Sequence, residues 1–198
     1  LKGNALRVIG GSLRGRKLAT IRGLAIRPTA DRVREALFNI LGSRPVDAHV
    51  LDLFAGTGAL GIEALSRGAK RAVFVDKAAQ ALQIIRKNIA LCRLEARTDV
   101  LRLDIAINPR SLLPYRGTFD LIFIDPPYNR GMIRPTLLNL SENHLPSHDA
   151  IGVIEHAPSE IIDPPPSGWI LIDQRRYGQT QLSFLSFAAS PVDPSAGS

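Results

Sequence analysis

The sequence predicts an α/β fold, a mainly parallel, doubly wound sheet preceded by a basic β-hairpin arm. Three observations carry this. After Gly42, strand-like and helix-like segments alternate. The turn Gly56-x-Gly58-x-x-Gly61 follows the first of these strands and opens a helix. The stretch Phe119 to Ile124 is apolar but for Asp120 and ends at Asp125-Pro126-Pro127-Tyr128. An apolar run of that length reads as a strand buried on both faces, the mark of a parallel sheet.

Taken in order, Leu6–Ile9 and Arg16–Thr20 read as two short strands, with Gly10, Gly11 and Gly15 supplying the turn. Arg27-Pro28 breaks the chain, and Thr29 is the expected N-cap of a helix ended by Gly42. The sheet follows: a strand at 50–53, a helix at 59–67 and a strand at 71–75. A long amphipathic helix covers 78–91, a third strand 98–103, and a short helical stretch lies near Ser111. The strand ending at Asp125 is the fourth, 133–140 is helical and 151–155 is the fifth strand. Residues 169–177 and 180–187, joined at Gly178-Gln179, read as a closing antiparallel pair. The expected organisation is an arm and helix over 1–42, a sheet domain over 43–189, and a disordered Pro/Gly/Ser tail over 190–198.

The chain has 198 residues, 45% hydrophobic and 22% charged, which suits one soluble domain with a small appendage. No apolar run approaches the roughly 20 residues of a membrane span, and no signal-type segment is expected. The single Cys92 cannot form an internal disulfide, so a cytoplasmic location is the expectation. No Cys/His cluster has metal spacing, so no metal is expected; His49, His144, His148 and His156 read as surface or supporting residues. Net charge is +7, and residues 1–34 hold nine basic residues against Asp31 alone. The excess positive charge therefore sits in an arm on a near-neutral body, the footprint of a polyanion contact. Arg7, Arg14, Arg16 and Lys17 are its candidate nucleic-acid-binding residues.

The glycine turn has two readings. With Asp76 twenty positions beyond Gly56, it matches a dinucleotide fingerprint. It also suits S-adenosylmethionine, whose ribose wants the same carboxylate. Asp52 at the end of the first strand would attract an ammonium and repel a pyrophosphate, and Asp104 at the end of the third could accept from an adenine amino group. Phe54, Ala55, Gly56 and Gly58 would floor the cofactor site, with Pro28 and Thr29 covering it.

Asp125, Pro126 and Tyr128 are the candidate catalytic residues. The prolines donate nothing, so the local backbone offers carbonyl acceptors. Acceptors beside a flat aromatic suit an NH2-bearing nucleobase that stacks on Tyr128. Asp125 would also border the cofactor.

Asp52-Leu53-Phe54-Ala55-Gly56-Thr57-Gly58 followed by Asp125-Pro126-Pro127-Tyr128 resembles the class I amino-methyltransferases. With Arg7–Gly11, Leu13–Leu18, Arg27–Asn39 and Tyr177–Thr180 added, the chain is similar to the bacterial small-subunit (16S) ribosomal RNA guanine-N2 methyltransferases of the RsmD type, over roughly residues 6–187. The resemblance implies a seven-stranded Rossmann-like sheet, mainly parallel with one antiparallel strand. It also implies S-adenosylmethionine, and a guanine in the RNA of an assembled or assembling small subunit as the target. A monomer is the expectation. Leu13 stands where many relatives are expected to carry a large aromatic. Three rivals remain. A DNA or other RNA amino-methyltransferase shares Asp-Pro-Pro-Tyr, though a DNA enzyme needs a larger recognition region. A protein-glutamine methyltransferase would have Asn at position 125. A non-catalytic RNA-binding protein would not need Asp52, Asp76, Asp104 and Asp125 together.

Overall fold

The computed structural model describes residues 6–20 and 28–188. Its elements are α1 (Pro28–Leu41), β1 (His49–Leu53), α2 (Ala59–Ser66), β2 (Arg71–Asp76), α3 (Ala79–Cys92), β3 (Thr98–Arg102), β4 (Phe119–Ile124), α4 (Ile133–Glu142), β5 (Pro146–His156), β6 (Trp169–Tyr177) and β7 (Thr180–Phe187). The strands form one seven-stranded sheet in the order β3-β2-β1-β4-β5-β7-β6. β1 to β5 are parallel neighbours, and β7 alone runs against them, between β5 and β6. Among the described residues no helix is long and apolar enough to cross a membrane.

The apolar runs of β1 and β4 are explained by cover on both faces. Alternate residues of a strand point to opposite sides. Val50, Phe74 and Phe123 pack with Leu37, Phe38, Ile62 and Ile85 of α1, α2 and α3. Leu51, Leu53, Ile122 and Ile124 pack on the other face with Leu137 and Leu140 of α4 and with Trp169 and Phe187. Each fully buried large aliphatic side chain contributes roughly 1.5–3 kcal/mol, so these central strands form the rigid floor under the site.

Four local expectations need correction. Helix α1 begins at Pro28, which puts Thr29 inside the first turn rather than at the N-cap. Proline suits a first helical position because the N–H it lacks would have had no partner there. β5 begins at Pro146, not Ile151, and its register with β4 shifts between Phe119 and Leu121. The solvent-facing His148 and Asp149 broke the apolar pattern and hid that first part of the strand. His156 is fully buried in the core. Its Nδ1 donates to Ala157 O at 2.9 Å, which leaves Nε2 to accept from Ser183 Oγ at 2.7 Å. Burial lowers its pKa, which favours the neutral ring.

The last correction concerns the arm. The expected hairpin strands reduce to a single antiparallel bridge, Arg7 to Lys17, around a 3-10 turn at Gly11–Leu13. The ladder stops because Ile9 and Gly10 donate to the buried carboxylate of Glu63 in α2, each at 2.7 Å, instead of to the facing arm. Gly11 has φ +73°, and a Cβ there would sit 1.9 Å from Ser66 O, so only glycine allows this contact. Leu6, Val8 and Leu18 enter the same core as α1 and the sheet, and Leu13 packs against it. The expected tail at 190–198 lies outside the described residues.

Candidate active site

Sheet order reverses between β1 and β4, and the carboxyl ends of β1, β2, β4 and β5 open on that switch point, where α/β sheets bind ligands. Asp52, the fourth residue of β1, is 1% exposed. Its Oδ2 accepts from Gly61 N at 2.8 Å, so the carboxylate first serves to dock the start of α2. A Cβ on Gly61 would lie 2.4 Å from the Phe74 ring and 3.1 Å from that oxygen. Only glycine lets the helix approach this closely. Burial pushes the Asp52 pKa up to about 7 against the lowering pull of the Gly61 N–H, and Asp76 adds to the rise.

The loop from Phe54 to Gly58 lies against the end of β2. Ala55 N donates to Val75 O at 3.0 Å, and Gly56 N donates to Asp76 Oδ2 at 2.9 Å. The other Asp76 oxygen accepts from Ala78 N at 2.8 Å. Phe54 has φ +56°, a left-handed conformation that a bulky residue adopts only when its surroundings demand it. The space over Gly56 is open, its nearest neighbour in the Cβ direction being Phe54 O at 3.8 Å. Asn88 Nδ2 of α3 donates to Thr57 O at 2.9 Å. Asp104 lies two residues beyond β3 rather than at its end, because the strand stops at Arg102. Lys77 Nζ is 3.1 Å from Asp104 Oδ2.

Asp125 follows β4 directly. Burial lifts its carboxyl well above the ordinary range, and Glu155 and Asp52 add to the rise. Pro126 is buried, while Tyr128 is 36% exposed. The Tyr128 hydroxyl donates to Glu155 Oε1 at 3.0 Å and lies 3.2 Å from Thr180 Oγ1. Ile154 pairs with Ile124, so Glu155 and Asp125 leave neighbouring strands side by side. Burial raises the Glu155 pKa too. Sequence marks neither Glu155 nor Thr180 as a site residue, and Thr180 enters only as the end of the Tyr177–Thr180 stretch. The available signal was that Glu155 ends the apolar run of β5 as Asp125 ends that of β4.

The structure thus places Asp52, Phe54, Ala55, Gly56, Gly58, Asp76, Asp104, Asp125, Pro126 and Tyr128 along the carboxyl ends of strands β1 to β4. The side chains of Pro28 and Thr29 lie outside the described residues. Arg7, Arg14, Arg16 and Lys17 are exposed on the arm. A cleft of about 380 Å³ between the arm and α1 is lined by Arg7, Arg14, Arg32, Asp31 and Glu35. None of its lining residues belongs to the carboxylate cluster.

These residues fit S-adenosylmethionine. The floor over Gly56 is open, Asp76 keeps lone pairs beyond its two N–H donors, and Asp125 at the end of β4 adds a carboxyl beside that floor, with Asp52 buried beneath it. A site edged by carboxyls suits a sulfonium and an ammonium better than a pyrophosphate. Fold and site together define a class I methyltransferase, which draws its methyl group from S-adenosylmethionine. The chain belongs to the family described as Conserved hypothetical protein 95, which matches residues 6–186. It is 38% identical over 176 residues to Ribosomal RNA small subunit methyltransferase D of Escherichia coli (strain K12), covering 88% of this chain and 86% of that protein. The protein of that name from Haemophilus influenzae is 32% identical over 177 residues, covering 87% and 89%. The solved structure of yhhF from Escherichia coli is 36% identical with a TM-score of 0.81, covering 94% of this chain and 100% of that one.

Proposed function

We infer that the protein methylates the exocyclic N2 of a guanine in small-subunit ribosomal RNA. The supporting observation is the grouping of Asp125, the Pro126 carbonyl and the half-exposed ring of Tyr128 beside the open glycine floor. The relatives' names point to the same class of RNA.

In this reading Asp76 holds the ribose hydroxyls of S-adenosylmethionine, Asp104 its adenine amino group, and Asp52 faces its amino-acid end. The bound cofactor supplies a methyl group on a cationic sulfur. The guanine amino group is a poor nucleophile because its lone pair is delocalised into the ring. Asp125 and the Pro126 carbonyl accept its two N–H bonds and turn that lone pair towards the methyl carbon. On attack the nitrogen would gain the methyl that S-adenosylmethionine supplies, the bonding pair staying with the departing sulfur. The proton it sheds passes to Asp125, whose buried carboxylate takes protons more readily than a solvated one. Tyr128 stacks on the base, worth about 1–3 kcal/mol. Orientation and electrostatics carry most of the rate.

Arg7, Arg14, Arg16 and Lys17 dock the RNA backbone and so position the base without reading it. The working form is a cytoplasmic monomer acting on an assembled or assembling subunit. The test is transfer of labelled methyl from S-adenosylmethionine to purified small subunits, free ribosomal RNA, DNA and protein, followed by mapping of the modified base. Label on N2 of guanine in the RNA is expected. Label on adenine, cytosine or protein overturns the assignment.

A further inference from the structure

Tyr128 is the aromatic three residues beyond Asp125, and its ring must stay over the target base to stack on it. It sits on a loop that has left the sheet, with a third of its surface in solvent. Two other elements hold its far end. The hydroxyl has one proton, and that proton goes to Glu155 Oε1 on β5 at 3.0 Å. The Thr180 hydroxyl, 3.2 Å away at the start of β7, is then the donor to the Tyr128 oxygen. Both anchors stand on the sheet: Glu155 pairs with Leu182, and Thr180 pairs with Tyr177 across the tight turn.

We propose that Glu155 and Thr180 are positioning residues that fix the Tyr128 ring over Asp125, so that the antiparallel β6–β7 pair completes the base-holding site. This rests on the assignment of Asp125 and Tyr128 to the target base. Glu155 acts here through its hydrogen bond and not through its charge. A loose Tyr128 would still admit a base but would hold it in the reactive orientation for a smaller fraction of the time. The loss therefore falls on kcat more than on donor affinity.

The experiment compares Glu155→Ala, Glu155→Gln, Thr180→Val, Tyr128→Phe and the double variant Glu155→Ala/Tyr128→Phe. Steady-state methyl transfer is measured on purified small subunits, with S-adenosylmethionine affinity by calorimetry. A second readout needs no turnover: the ring signal of Tyr128 in protein carrying 13C-tyrosine. The chain has only three tyrosines, and Tyr128→Phe identifies the signal by its loss. Glu155→Ala should lower kcat about two- to tenfold, the loss expected for one hydrogen bond that does not draw on charge. Glu155→Gln keeps an acceptor and should recover most of that loss and the wild-type ring signal. Thr180→Val should fall between them. The double variant should be no worse than the poorer single variant. Wild-type turnover in Glu155→Ala with an unchanged ring signal overturns the proposal. So does a Glu155→Gln variant as slow as Glu155→Ala, or effects that multiply in the double variant. Asp125→Ala separates the two levels. If it too turns over normally, the active-site assignment fails; if it is inactive while Glu155→Ala is normal, the positioning role alone fails.

Discussion

The carboxamide of Asn88 holds both backbone groups of Ala19: its Oδ1 accepts from Ala19 N at 2.7 Å, and its Nδ2 donates to Ala19 O at 3.0 Å. The same Nδ2 donates to Thr57 O in the glycine loop at 2.9 Å. One fully buried side chain on α3 therefore joins the end of the basic arm to the glycine loop after β1. The arm is thereby part of the enzyme's frame.

Asn88→Ala should strand these groups in a buried setting, at about 1–3 kcal/mol for each one left unsatisfied. Urea denaturation should show a loss in that range. Hydrogen exchange should quicken at Ala19 before the sheet amides change. Unchanged exchange at Ala19 would mean that the arm is held elsewhere.

Glu63 is the second anchor. It is fully buried and takes Ile9 N, Gly10 N and Arg67 Nε. Glu63→Ala leaves all three without their acceptor, so a cost of about 3–5 kcal/mol is expected. The arm should also loosen, so that limited trypsin digestion cuts faster after the already exposed Arg14, Arg16 and Lys17. Equal digestion rates for variant and wild type would contradict this docking.

Asp52 makes stability depend on pH. Burial raises its pKa from 3.8 to about 7, so folding favours the neutral form. That contribution is whole below the unfolded value and is lost as pH rises through about 7. Asp52→Asn keeps an acceptor for Gly61 N and cannot ionise. Its stability relative to wild type should therefore climb between about pH 4 and pH 8, by up to about 4 kcal/mol. Denaturation curves across that range check it; a flat difference would mean that the carboxylate is solvated.

The exposed arm gives a salt signature. Replacing Arg14, Arg16 and Lys17 together by Ala should leave S-adenosylmethionine affinity intact and weaken RNA binding. The slope of log affinity against log salt should flatten by up to about 0.7–0.9 per lost phosphate contact. Equal slopes would place the RNA on another surface.

Much of this frame is legible in the sequence because it is local. Apolar runs, the glycine spacing and the prolines after Asp125 each act within a few residues. They placed all seven strands and the acids at the ends of β1, β2 and β4. What escaped depends on partners far apart in the chain. Ile9 and Gly10 have ordinary strand chemistry until Glu63, more than fifty residues on, takes their N–H groups. His156 resembles any polar strand end until Ser183 is set opposite it. Glu155 becomes part of the site only when the sheet brings β4 and β5 together. Asp52 was read as an acceptor for a ligand, and nothing nearby in sequence showed that Gly61 N claims one of its oxygens.

The central claim is that Asp125 serves the target base. The most direct measurement pairs labelled methyl transfer to small subunits with calorimetric S-adenosylmethionine binding, for wild type and Asp125→Ala. The account predicts that transfer falls by at least about a hundredfold, while donor affinity stays within a few-fold of wild type. Wild-type transfer by Asp125→Ala would contradict it, as would a loss of transfer fully matched by a loss of donor binding.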